Sequence, residues 1–423
     1  MKDTIAIVLA AGRGTRMNSR TPKVLHDILG KPMIHHVLDS VRQAGVNDIV
    51  VIAGHGSALL KRSLPDARVL VQKELLGSGD AVNTARKALG RYTGDLLVVC
   101  GDTPLLRGDT LRELIRTRKS SGASAVVLTT DLKDPTGYGR IVRDENGAVI
   151  KIIEELEAGL YEKVIEEINV GSYCFRAEDL FDALTGVKPD NDKKEYFLTD
   201  VIAVMNRKKK TVKALKTDDT DEAIGVNTKN DLAEATRIMK GRVMSELMLG
   251  GVTIYDPSST TIYPGVRIGA DTVIYPNTII ESDVEIGKNA SIGPFARLRP
   301  GVRLEDNVEV GNFVELVRTE IGEGTKVKHH TYLGDAKVGK NVNIGAGTIT
   351  ANFDGSKKQR TVIGDGAFLG IGTRLIAPVR IGSHAVTGAG SVVPKNRDVP
   401  SGATVVGVPA RILGIAKKKR VRR

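Results

Sequence analysis

Aromatic residues and cysteines are scarce in this sequence of 423 residues, which has no tryptophan, nine tyrosines and seven phenylalanines. The two cysteines, Cys100 and Cys174, are too few for a disulfide framework or a cysteine-rich metal cluster, so a reducing cytoplasm is the expected location. No apolar run approaches the ~20 residues of a membrane span, and the opening segment 1–12 resembles a strand rather than a cleavable signal. We therefore expect no stable insertion into a membrane.

The remaining composition is that of a globular protein with an excess of positive charge. With 41% hydrophobic and 26% charged residues, the sequence is close to the globular average, which excludes a disordered chain. A net charge of +12 is compatible with nucleic acid, an acidic membrane surface, small anionic substrates or a basic tail. The segment 417–423 holds six of these charges, and no aromatic–basic motif typical of nucleic-acid recognition is present. We therefore expect anionic small-molecule substrates and no nucleic acid.

Short apolar runs alternate with amphipathic segments in the first half of the chain. This alternation predicts βαβ units and a mostly parallel sheet, a Rossmann-like α/β domain with its ligands at the carboxyl ends of the strands. The predicted strands are 5–9, 48–53 and 96–100, and the predicted helices are 34–44 and 80–89. The segment 138–175 is richer in strand-forming residues, with a hairpin turn at Asn146-Gly147.

The second half follows a period of six residues. Ten aliphatic residues occupy successive sixth positions, namely Ile262, Ile268, Ile274, Ile280, Ile286, Ile292, Leu298, Leu304, Val310 and Leu316. After a shift of one residue the period resumes at 321–333, and it returns at 363–381. Such a period predicts a parallel β-helix with aliphatic side chains inside and glycine or asparagine at the corners. The alternative is a β-rich domain with accidental spacing, and the scaffold alone indicates no chemistry.

These patterns predict four parts: an α/β domain (1–228), a linker helix (229–250), a β-helix (251–414) and a basic tail (415–423). The linker is amphipathic over 230–249 and ends at Gly250-Gly251. The segment 348–360 breaks the period of six, which predicts a loop that projects from the β-helix.

A glycine-rich turn, Leu9-Ala-Ala-Gly-Arg-Gly-Thr-Arg-Met17, follows the first predicted strand, and Pro22-Lys23 comes shortly after it. Gly12 and Gly14 would let backbone N–H groups approach a phosphate, while Arg16 and Lys23 would supply positive charge. The alternative is a tight turn with two solvated basic residues. The motif is neither the dinucleotide fingerprint nor the Walker sequence.

The glycine-rich turn with Pro22-Lys23 resembles the signature of sugar-phosphate nucleotidyltransferases. Together with the hexapeptide period, it resembles the bifunctional GlmU family, which is an N-acetylglucosamine-1-phosphate uridyltransferase and a glucosamine-1-phosphate acetyltransferase. The resemblance covers almost the whole chain and implies a left-handed β-helix. Further matching segments are 75–81, 101–105, 134–141, 167–171, 195–200 and 225–227.

At the first site, the resemblance implies that UMP passes from UTP to N-acetylglucosamine 1-phosphate and that pyrophosphate leaves. Arg16 and Lys23 would be catalytic, and Asp102 with Asn227 would hold Mg²⁺, which prefers a few protein oxygens together with phosphates and waters. The residues implied for nucleotide and sugar binding are Leu9, Ala10, Ala11, Gly12, Gly14, Gln72, Gly77, Ser78, Gly139, Glu154, Asn169 and Asn227. The alternatives are a turn-forming Asp102 before Thr103 and a solvated acidic run at Glu154.

Two departures from the family leave the identity of the sugar open. Leu156 stands where the family has lysine, and Val170 stands where it commonly has threonine. The alternative function is therefore another sugar-1-phosphate nucleotidylyltransferase, such as a glucose-1-phosphate thymidylyl- or uridylyltransferase, whose β-helix serves only to form a trimer.

At the second site, the resemblance implies acetyl transfer from acetyl-CoA with His329 as the base. The residues implied to bind substrates there are Arg299, Tyr332, Asn343, Ala346, Asn352 and Arg411, the last at the CoA phosphate. The alternative for His329 is a surface residue at a corner of the β-helix. Val317, Phe353 and Ile371 replace a lysine, a tyrosine and a serine of the family, so the acetyl transfer is left open. The family resemblance also implies a homotrimer with acyl sites between subunits.

Overall fold

The structure, a computed structural model, describes residues 3–189, 191 and 194–415. The chain forms two compact units, Met1–Ile238 and Met239–Arg423. The division falls inside a long helix, whereas the sequence interpretation ends the first domain at residue 228. Residues 416–423 of the predicted basic tail lie outside the described residues.

A mixed sheet of nine strands forms the centre of the first unit. The strands are β1 (Thr4–Ala10), β4 (Asp48–Ala53), β5 (Arg68–Val71), β6 (Asp95–Cys100), β7 (Ala125–Asp131), β8 (Arg140–Arg143), β9 (Val149–Ile153), β10 (Glu167–Arg176) and β11 (Val212–Lys216). The main path of the sheet has the order β11-β7-β10-β6-β1-β4-β5, in which β10 is antiparallel to both of its neighbours while the other pairs are parallel. A separate ribbon pairs β2 (Asp27–Ile28) with β3 (Lys31–Pro32). The predicted Rossmann-like sheet and the hairpin β8–β9 around Gly147 are confirmed.

Helices cover both faces of this sheet because successive strand residues point to opposite sides. In β1, Ile5 and Ile7 enter one hydrophobic cluster, and Ala6 and Val8 enter the other. The helices are α1 (Met33–Gln43), α2 (Ser57–Ser63), α3 (Ser78–Leu89), α4 (Gly108–Ser121), α5 (Leu160–Lys163), α6 (Ala177–Leu184), α7 (Asp200–Arg207) and α8 (Lys229–Leu249). Buried residues of α1, α2 and α4 join the cluster of Ala6, and those of α3, α6 and α7 join the cluster of Ile7.

The last helix, α8, occupies the segment predicted as a linker helix. Its buried residues are Ala235, Ile238 and Met244, while Leu232 and Leu247 are only half-buried. The buried positions therefore form a narrower stripe than the sequence pattern predicts. No helix in the described part of the chain combines the length and the apolarity that a bilayer crossing requires.

Three parallel sheets form the second unit as a left-handed parallel β-helix. The first contains β12 (Thr253–Ile254), β15 (Val273–Ile274), β18 (Ser291–Ile292), β21 (Glu309–Asn312), β24 (Lys326–His329), β27 (Asn343–Ile344), β30 (Phe368–Leu369), β33 (Val386–Thr387), β35 (Ala403–Val406) and the antiparallel β36 (Arg411–Ile415). The second contains β13 (Thr261–Ile262), β16 (Ile279–Ile280), β19 (Arg297–Leu298), β22 (Glu315–Val317), β25 (Tyr332–Gly334), β28 (Ile349–Ala351), β31 (Arg374–Ile376) and β34 (Val392–Val393). The third contains β14 (Arg267–Ile268), β17 (Val284–Ile286), β20 (Val302–Leu304), β23 (Glu320–Ile321), β26 (Ala336–Val338), β29 (Thr361–Ile363) and β32 (Val379–Ile381).

The register of the β-helix explains the period of six. Ile262 pairs with Ile280, which pairs with Leu298, so three periods of six complete one coil. The aliphatic residues of the period are buried, apart from the half-buried Ile268. The shift of one residue shortens the coil between Leu304 and its partner Ile321.

Left-handed backbone marks the corners of the coils. In most coils it occurs three residues after the inward aliphatic residue, for example at Asn277, Asn289 and Gly301, whose φ values are 59°, 53° and 82°. Phenylalanine and histidine also occupy such corners, so the expected restriction to glycine and asparagine is too narrow. The glycines directly after the aliphatic residues serve close stacking instead, since a Cβ on Gly311 would lie 1.9 Å from the carbonyl oxygen of Lys328.

Candidate functional site

A cavity of about 640 Å³ lies beside the carboxyl ends of β1 and β6 in the first unit. It collects residues from five separate stretches of sequence, 9–23, 72–81, 100–102, Glu195 and Asn227, as expected at such strand ends. Of the predicted residues, those that line it are Leu9, Ala11, Gly12, Gly14, Arg16, Lys23, Gln72, Gly77, Ser78, Asp102 and Asn227. Ala10 is not among them, because its side chain points to the opposite face of β1 and packs with the cluster of Ala6.

The glycine-rich turn is held in shape by backbone geometry and one buried side chain. Gly14 has φ of 61°, and a Cβ there would lie 2.7 Å from Cβ of Lys23, so only glycine fits without strain. The turn continues into a single 3₁₀ turn, Thr15–Met17, in which Met17 is buried while Arg16 is exposed. The buried methionine anchors the turn and leaves the arginine at the cavity.

Lys23, Asp102 and Asn227 converge at one point of this cavity. The ammonium group of Lys23 forms an ion pair with Asp102 Oδ2 and donates a hydrogen bond to Asn227 Oδ1 at 3.0 Å. Asp102 follows the end of β6, and the backbone N–H of Val226 donates to the carbonyl oxygen of Asp102 at 2.8 Å, which brings the segment of Asn227 to this strand end. A carboxylate oxygen and an amide oxygen thus face one shared cation position.

The opposite wall of the cavity holds Gln72 in a fixed orientation. The Nε2 amide of Gln72 donates to Gly77 O at 3.1 Å and to Asp80 Oδ2 at 2.8 Å. The side chain is 4% exposed, so these two bonds determine which way its amide points. Because both donors are engaged by the protein, the atom that Gln72 can offer to a ligand is its carbonyl oxygen.

Two of the segments that carry the family resemblance pack against each other here. The backbone N–H of Gly79 donates to Tyr196 O at 2.7 Å, and the N–H of Tyr196 donates to Leu76 O at 2.7 Å. The N–H of Leu198 donates to Ser78 Oγ at 2.9 Å. A Cβ on Gly77 would lie 2.6 Å from Tyr196 O, which explains the glycine. Hydrogen bonds from the segment 195–198 therefore hold the segment 75–81 in position.

Gly139, Glu154 and Asn169 form a second group, outside the residues that line this cavity. The carbonyl oxygen of Gly139 accepts from the backbone N–H of Asn169 at 2.9 Å, and Asn169 Nδ2 donates to Tyr173 Oη at 2.6 Å. Glu154 Oε1 accepts from Thr199 Oγ1 at 2.8 Å. Hydrogen bonds therefore fix these three predicted sugar-binding residues in place.

Cys100 also belongs to this site and was not among the predicted site residues. It lines the cavity, and its thiol donates weakly to Gly171 O at 3.6 Å. Burial, reinforced by the nearby Asp102 carboxylate, raises the pKa of this thiol to about 12, so it remains protonated and unreactive at neutral pH. The sequence signal that could have identified Cys100 is its position as the last residue of β6, two residues before Asp102.

Other residues that the sequence reasoning missed lie within the matched motifs. Arg13, Glu195 and Ala81 line the cavity, and Asp80 orients Gln72. The sequence patterns gave these residues no separate role because a motif does not show which of its side chains turn toward a ligand.

In the β-helix, His329 lies beside Asn312 of the preceding coil. Nδ1 of His329 is 3.1 Å from Oδ1 of Asn312, and their strands β24 and β21 pair at these two residues. The amide oxygen accepts a hydrogen bond from Nδ1–H, which leaves Nε2 as the nitrogen with the lone pair. His329 and Asn312 line a smaller cavity of about 270 Å³ together with Lys328 and Glu309.

A second cluster in the β-helix surrounds Gly334. A Cβ on Gly334 would lie 2.5 Å from both Tyr332 Oη and Asn352 Nδ2, so the absence of a side chain lets these two groups approach. Asn352 donates to Asp335 Oδ2. Asp335 also receives two bonds from Arg318, Nε to Oδ1 at 2.6 Å and Nη2 to Oδ2 at 2.9 Å. The pair with Arg318 lowers the pKa of Asp335, which is therefore ionised at neutral pH.

The residues that differ from the family lie partly inside the β-helix and partly on its surface. Val317 is buried and pairs with Gly334, so an apolar side chain lies beside the Tyr332 cluster where the family has lysine. Arg318 forms its two bonds with Asp335. Phe353 and Ile371 are exposed on the surface of the β-helix.

The other predicted acyl-site residues are spread along the β-helix. Arg299 donates from Nη1 to Glu315 Oε1 at 2.8 Å, and Asn343 pairs with Lys326 in the sheet that also contains His329. The carbonyl oxygen of Ala346 accepts from the N–H of Gly372 at 2.7 Å. Arg411 lies in β36, five strands beyond β24 in the sheet order, or about 24 Å at the usual strand spacing. One chain therefore does not bring Arg411 to His329.

The projecting loop, predicted at 348–360, spans the shorter segment 352–360 between β28 and β29, because residues 349–351 still pair as β28. Asp354 organises it, since Oδ1 accepts from the backbone N–H groups of Ser356 at 3.1 Å and Lys357 at 2.9 Å, and Oδ2 accepts from Gln359 at 2.9 Å. These bonds hold the pKa of Asp354 well below its usual range. The loop thus has a defined shape of its own.

Comparison with known proteins identifies matching families for both units. A family model described as the MobA-like NTP transferase domain matches residues 6–196. A model of the bacterial transferase hexapeptide, with six repeats, matches residues 283–318 and 360–395. The matched ranges fall in the α/β sheet and in the β-helix, respectively.

Full-length relatives share this arrangement. The bifunctional protein GlmU of Shouchella clausii is 42% identical over 455 aligned residues, which cover 100% of this chain and 98% of the relative. The bifunctional protein GlmU of Heliobacterium modesticaldum is 45% identical over 440 residues, covering 96% of each chain. Among solved structures, UDP-glucose pyrophosphorylase complexed with UDP-glucose covers 56% of this chain and 99% of that chain, with 18% identity and a TM-score of 0.47, a likeness too weak to bear on the fold or the function. The chain belongs to the family of bifunctional GlmU proteins, enzymes that join a nucleotidyltransferase domain to a hexapeptide β-helix.

Proposed function

We propose that the first unit transfers UMP from UTP to N-acetylglucosamine 1-phosphate, giving UDP-N-acetylglucosamine and pyrophosphate. A phosphate oxygen of the sugar phosphate attacks the α-phosphorus of UTP, and the bond to the pyrophosphate group breaks. The observation that supports this most directly is the convergence of Lys23, Asp102 and Asn227 in one cavity with the glycine-rich turn. Such reactions depend mainly on positioning and on neutralising phosphate charge.

The donor set at this point suits Mg²⁺. Asp102 and Asn227 would hold the ion, which supplies charge neutralisation for the α-phosphate and the leaving pyrophosphate when bound. Their two oxygens already share a single cationic partner, the ammonium group of Lys23. Mg²⁺ commonly takes only one or two protein oxygens and completes its coordination with substrate phosphates and waters.

The residues around the phosphates would bind and orient them. Backbone N–H groups at Gly12 and Gly14 donate to phosphate oxygens, and Arg16 supplies a charge at the exposed side of the turn. Leu9 and Ala11 form the wall at the end of β1. Lys23 lies within reach of both the metal position and the turn.

Gln72 would select the base. Its carbonyl oxygen can accept from N3–H of uracil, whereas N3 of cytosine is itself an acceptor and would face that oxygen unfavourably. Gly77 and Ser78 lie at the same wall, where they can contact the uracil and the ribose. This arrangement favours UTP over CTP.

Gly139, Glu154 and Asn169 would hold the sugar. The Glu154 carboxylate accepts hydrogen bonds from sugar hydroxyls, and the Asn169 amide offers a donor to the acetamide. N-Acetylglucosamine 1-phosphate is favoured over glucose 1-phosphate by the family membership of the whole chain. A panel of UTP, CTP and dTTP with both sugar phosphates separates these substrates.

Pyrophosphate release from UTP and N-acetylglucosamine 1-phosphate with Mg²⁺ tests the first activity. Asp102→Ala is expected to remove turnover while the protein stays folded. Full turnover in that variant would refute the assigned metal site, and turnover only with glucose 1-phosphate would refute the assigned sugar.

For the second unit we propose acetylation of glucosamine 1-phosphate by acetyl-CoA, with His329 taking the proton from the amine. The support is the orientation of His329 by Asn312, which is suited to a general base at Nε2. Tyr332, Asn343, Ala346, Asn352 and Arg299 would contact the substrates, and Arg411 the CoA phosphate. CoA release that persists in His329→Ala would refute His329 as the base. No CoA release by the unmodified protein would leave the β-helix as a purely structural module.

We also propose a homotrimer in the cytoplasm. Within one chain Arg411 lies far along the sheet from His329, so an acyl site that uses both needs a second copy. The exposed rings of Phe295, Phe313 and His330 stack on one another at the corner that follows His329. The ring centroids are 5.4 Å apart between the two phenylalanines and 4.9 Å apart between Phe313 and His330. Both cysteines are free, which suits a reducing compartment. Light scattering is expected to give three times the chain mass of 45.3 kDa.

A further inference from the structure

Lys23 occupies the position at which the oxygens of Asp102 and Asn227 meet. Its ammonium group is paired with Asp102 Oδ2 and lies 3.0 Å from Asn227 Oδ1. The side chains of Lys23 and Asp102 are only 13% and 22% exposed, so water screens this pair weakly. The two oxygens that a metal would use are therefore neutralised by a cation that belongs to the chain itself.

An ammonium group and a divalent ion cannot share these oxygens. Mg²⁺ binds oxygen at about 2.0–2.1 Å, and two cations so close would repel each other strongly in a half-buried site. Binding of the metal thus requires Lys23 to leave. The cavity that Lys23 lines also holds the glycine-rich turn, where nucleotide phosphates would offer the ammonium group a replacement anion.

We propose that Lys23 is an internal competitor that blocks the divalent cation until a nucleotide phosphate draws its ammonium group away. This inference rests on the proposed metal and nucleotide site. The competition couples the two ligands: the phosphate frees the metal oxygens, and the metal releases the lysine for the phosphate. Such coupling is reciprocal by thermodynamic necessity.

A different role for Lys23 leads to the opposite result. If its bonds only brace Asp102 and Asn227 in position, removing the side chain would loosen the oxygens and weaken cation binding. If Lys23 competes, removing it would leave the Asp102 carboxylate without its partner and strengthen cation binding.

Titration of the full-length protein with Mn²⁺ in the absence of nucleotide distinguishes these roles, with free Mn²⁺ followed by electron paramagnetic resonance. Lys23→Met is expected to bind Mn²⁺ about tenfold more tightly than the unmodified protein, within the usual range of coupling between sites. Lys23→Gln, which keeps a polar end, serves as a second variant if the first fails to fold. Asp102→Asn is expected to lose this binding in either background.

Arg16→Met is the matched control, because it removes one positive charge from the same cavity. No bond joins Arg16 to either oxygen in the described residues, so its Mn²⁺ affinity is expected to stay within twofold. Equal or weaker Mn²⁺ binding in both Lys23 variants would overturn the proposal, as would equal tightening in Arg16→Met. Nucleotidyl transfer by the unmodified protein at saturating Mg²⁺ tests the proposed function separately.

Discussion

Oδ1 of Asn312 lies 3.1 Å from Nδ1 of His329, one coil away on the neighbouring strand. This contact assigns the proton to Nδ1 and directs the lone pair of Nε2 outward. A partner of this kind holds a basic imidazole in the required tautomer and orientation.

Asn312→Ala is therefore expected to lower kcat for acetylation of glucosamine 1-phosphate about tenfold or more, since the imidazole loses its fixed tautomer. CoA release measures the effect, and nucleotidyl transfer by the same variant serves as the control because it uses the other unit. If acetylation is unchanged, the contact has no catalytic consequence.

Gly14→Ala is expected to impair nucleotide binding. The left-handed φ costs about 1–2 kcal/mol for a residue with a Cβ, and here the added atom would also meet Lys23. The KM for UTP should rise about tenfold. Gly90→Ala is the control, since Gly90 has φ of 62° with open space around it, and it should lose stability without a change in KM.

Asp80→Ala is expected to weaken discrimination between bases. Without its bond to Asp80, the amide of Gln72 can rotate and present its NH₂ group to N3 of cytosine. The ratio of kcat/KM for UTP to that for CTP should fall about tenfold, in line with the value of a hydrogen bond in substrate selection. An unchanged ratio would show that Gln72 does not read the base.

Asp200 makes stability depend on pH. Burial, with the nearby Glu157 and Glu154 carboxylates, raises its pKa to about 6 from 3.8. The folded state therefore favours the protonated acid, and stability declines as pH rises from about 4 to about 6. Asp200→Asn is expected to raise Tm at pH 7.5 and to change it little at pH 4 (measured calorimetrically). Equal shifts at the two pH values would contradict the assignment.

The β-helix was largely predictable because its rule is local. The six-residue period predicts which side chains point inward, and residues such as Ile280 and Leu298 are buried as it predicts. The corners were less predictable: Phe295 and His330 have φ of 57° and 43°, values that their residue types rarely adopt. Stacking of these rings between successive coils stabilises the unfavourable backbone conformation, and this stacking can be seen only in the assembled β-helix.

The first site depends on contacts that no local pattern specifies. Lys23 meets Asp102 from 79 residues away and Asn227 from 204 residues away, so a resemblance to a family was the only sequence signal for their proximity. Ala10 shows that a family motif can also predict too much. It belongs to the glycine-rich motif, but side chains alternate along β1, and that of Ala10 points away from the cavity. The contact of Asn312 with His329 follows from coil length and could have been inferred from it.

The coil register also sets how this protein can change in length. Each coil pairs only with the coils before and after it, so a whole coil can be removed while every remaining side chain keeps its inward or outward direction. The alignment with the Shouchella clausii relative spans 455 positions, more than the 423 residues here, so this chain has gaps relative to it. A β-helix therefore tolerates the deletion of one whole coil at a time, and the sites on the remaining coils keep their geometry when the number of coils changes.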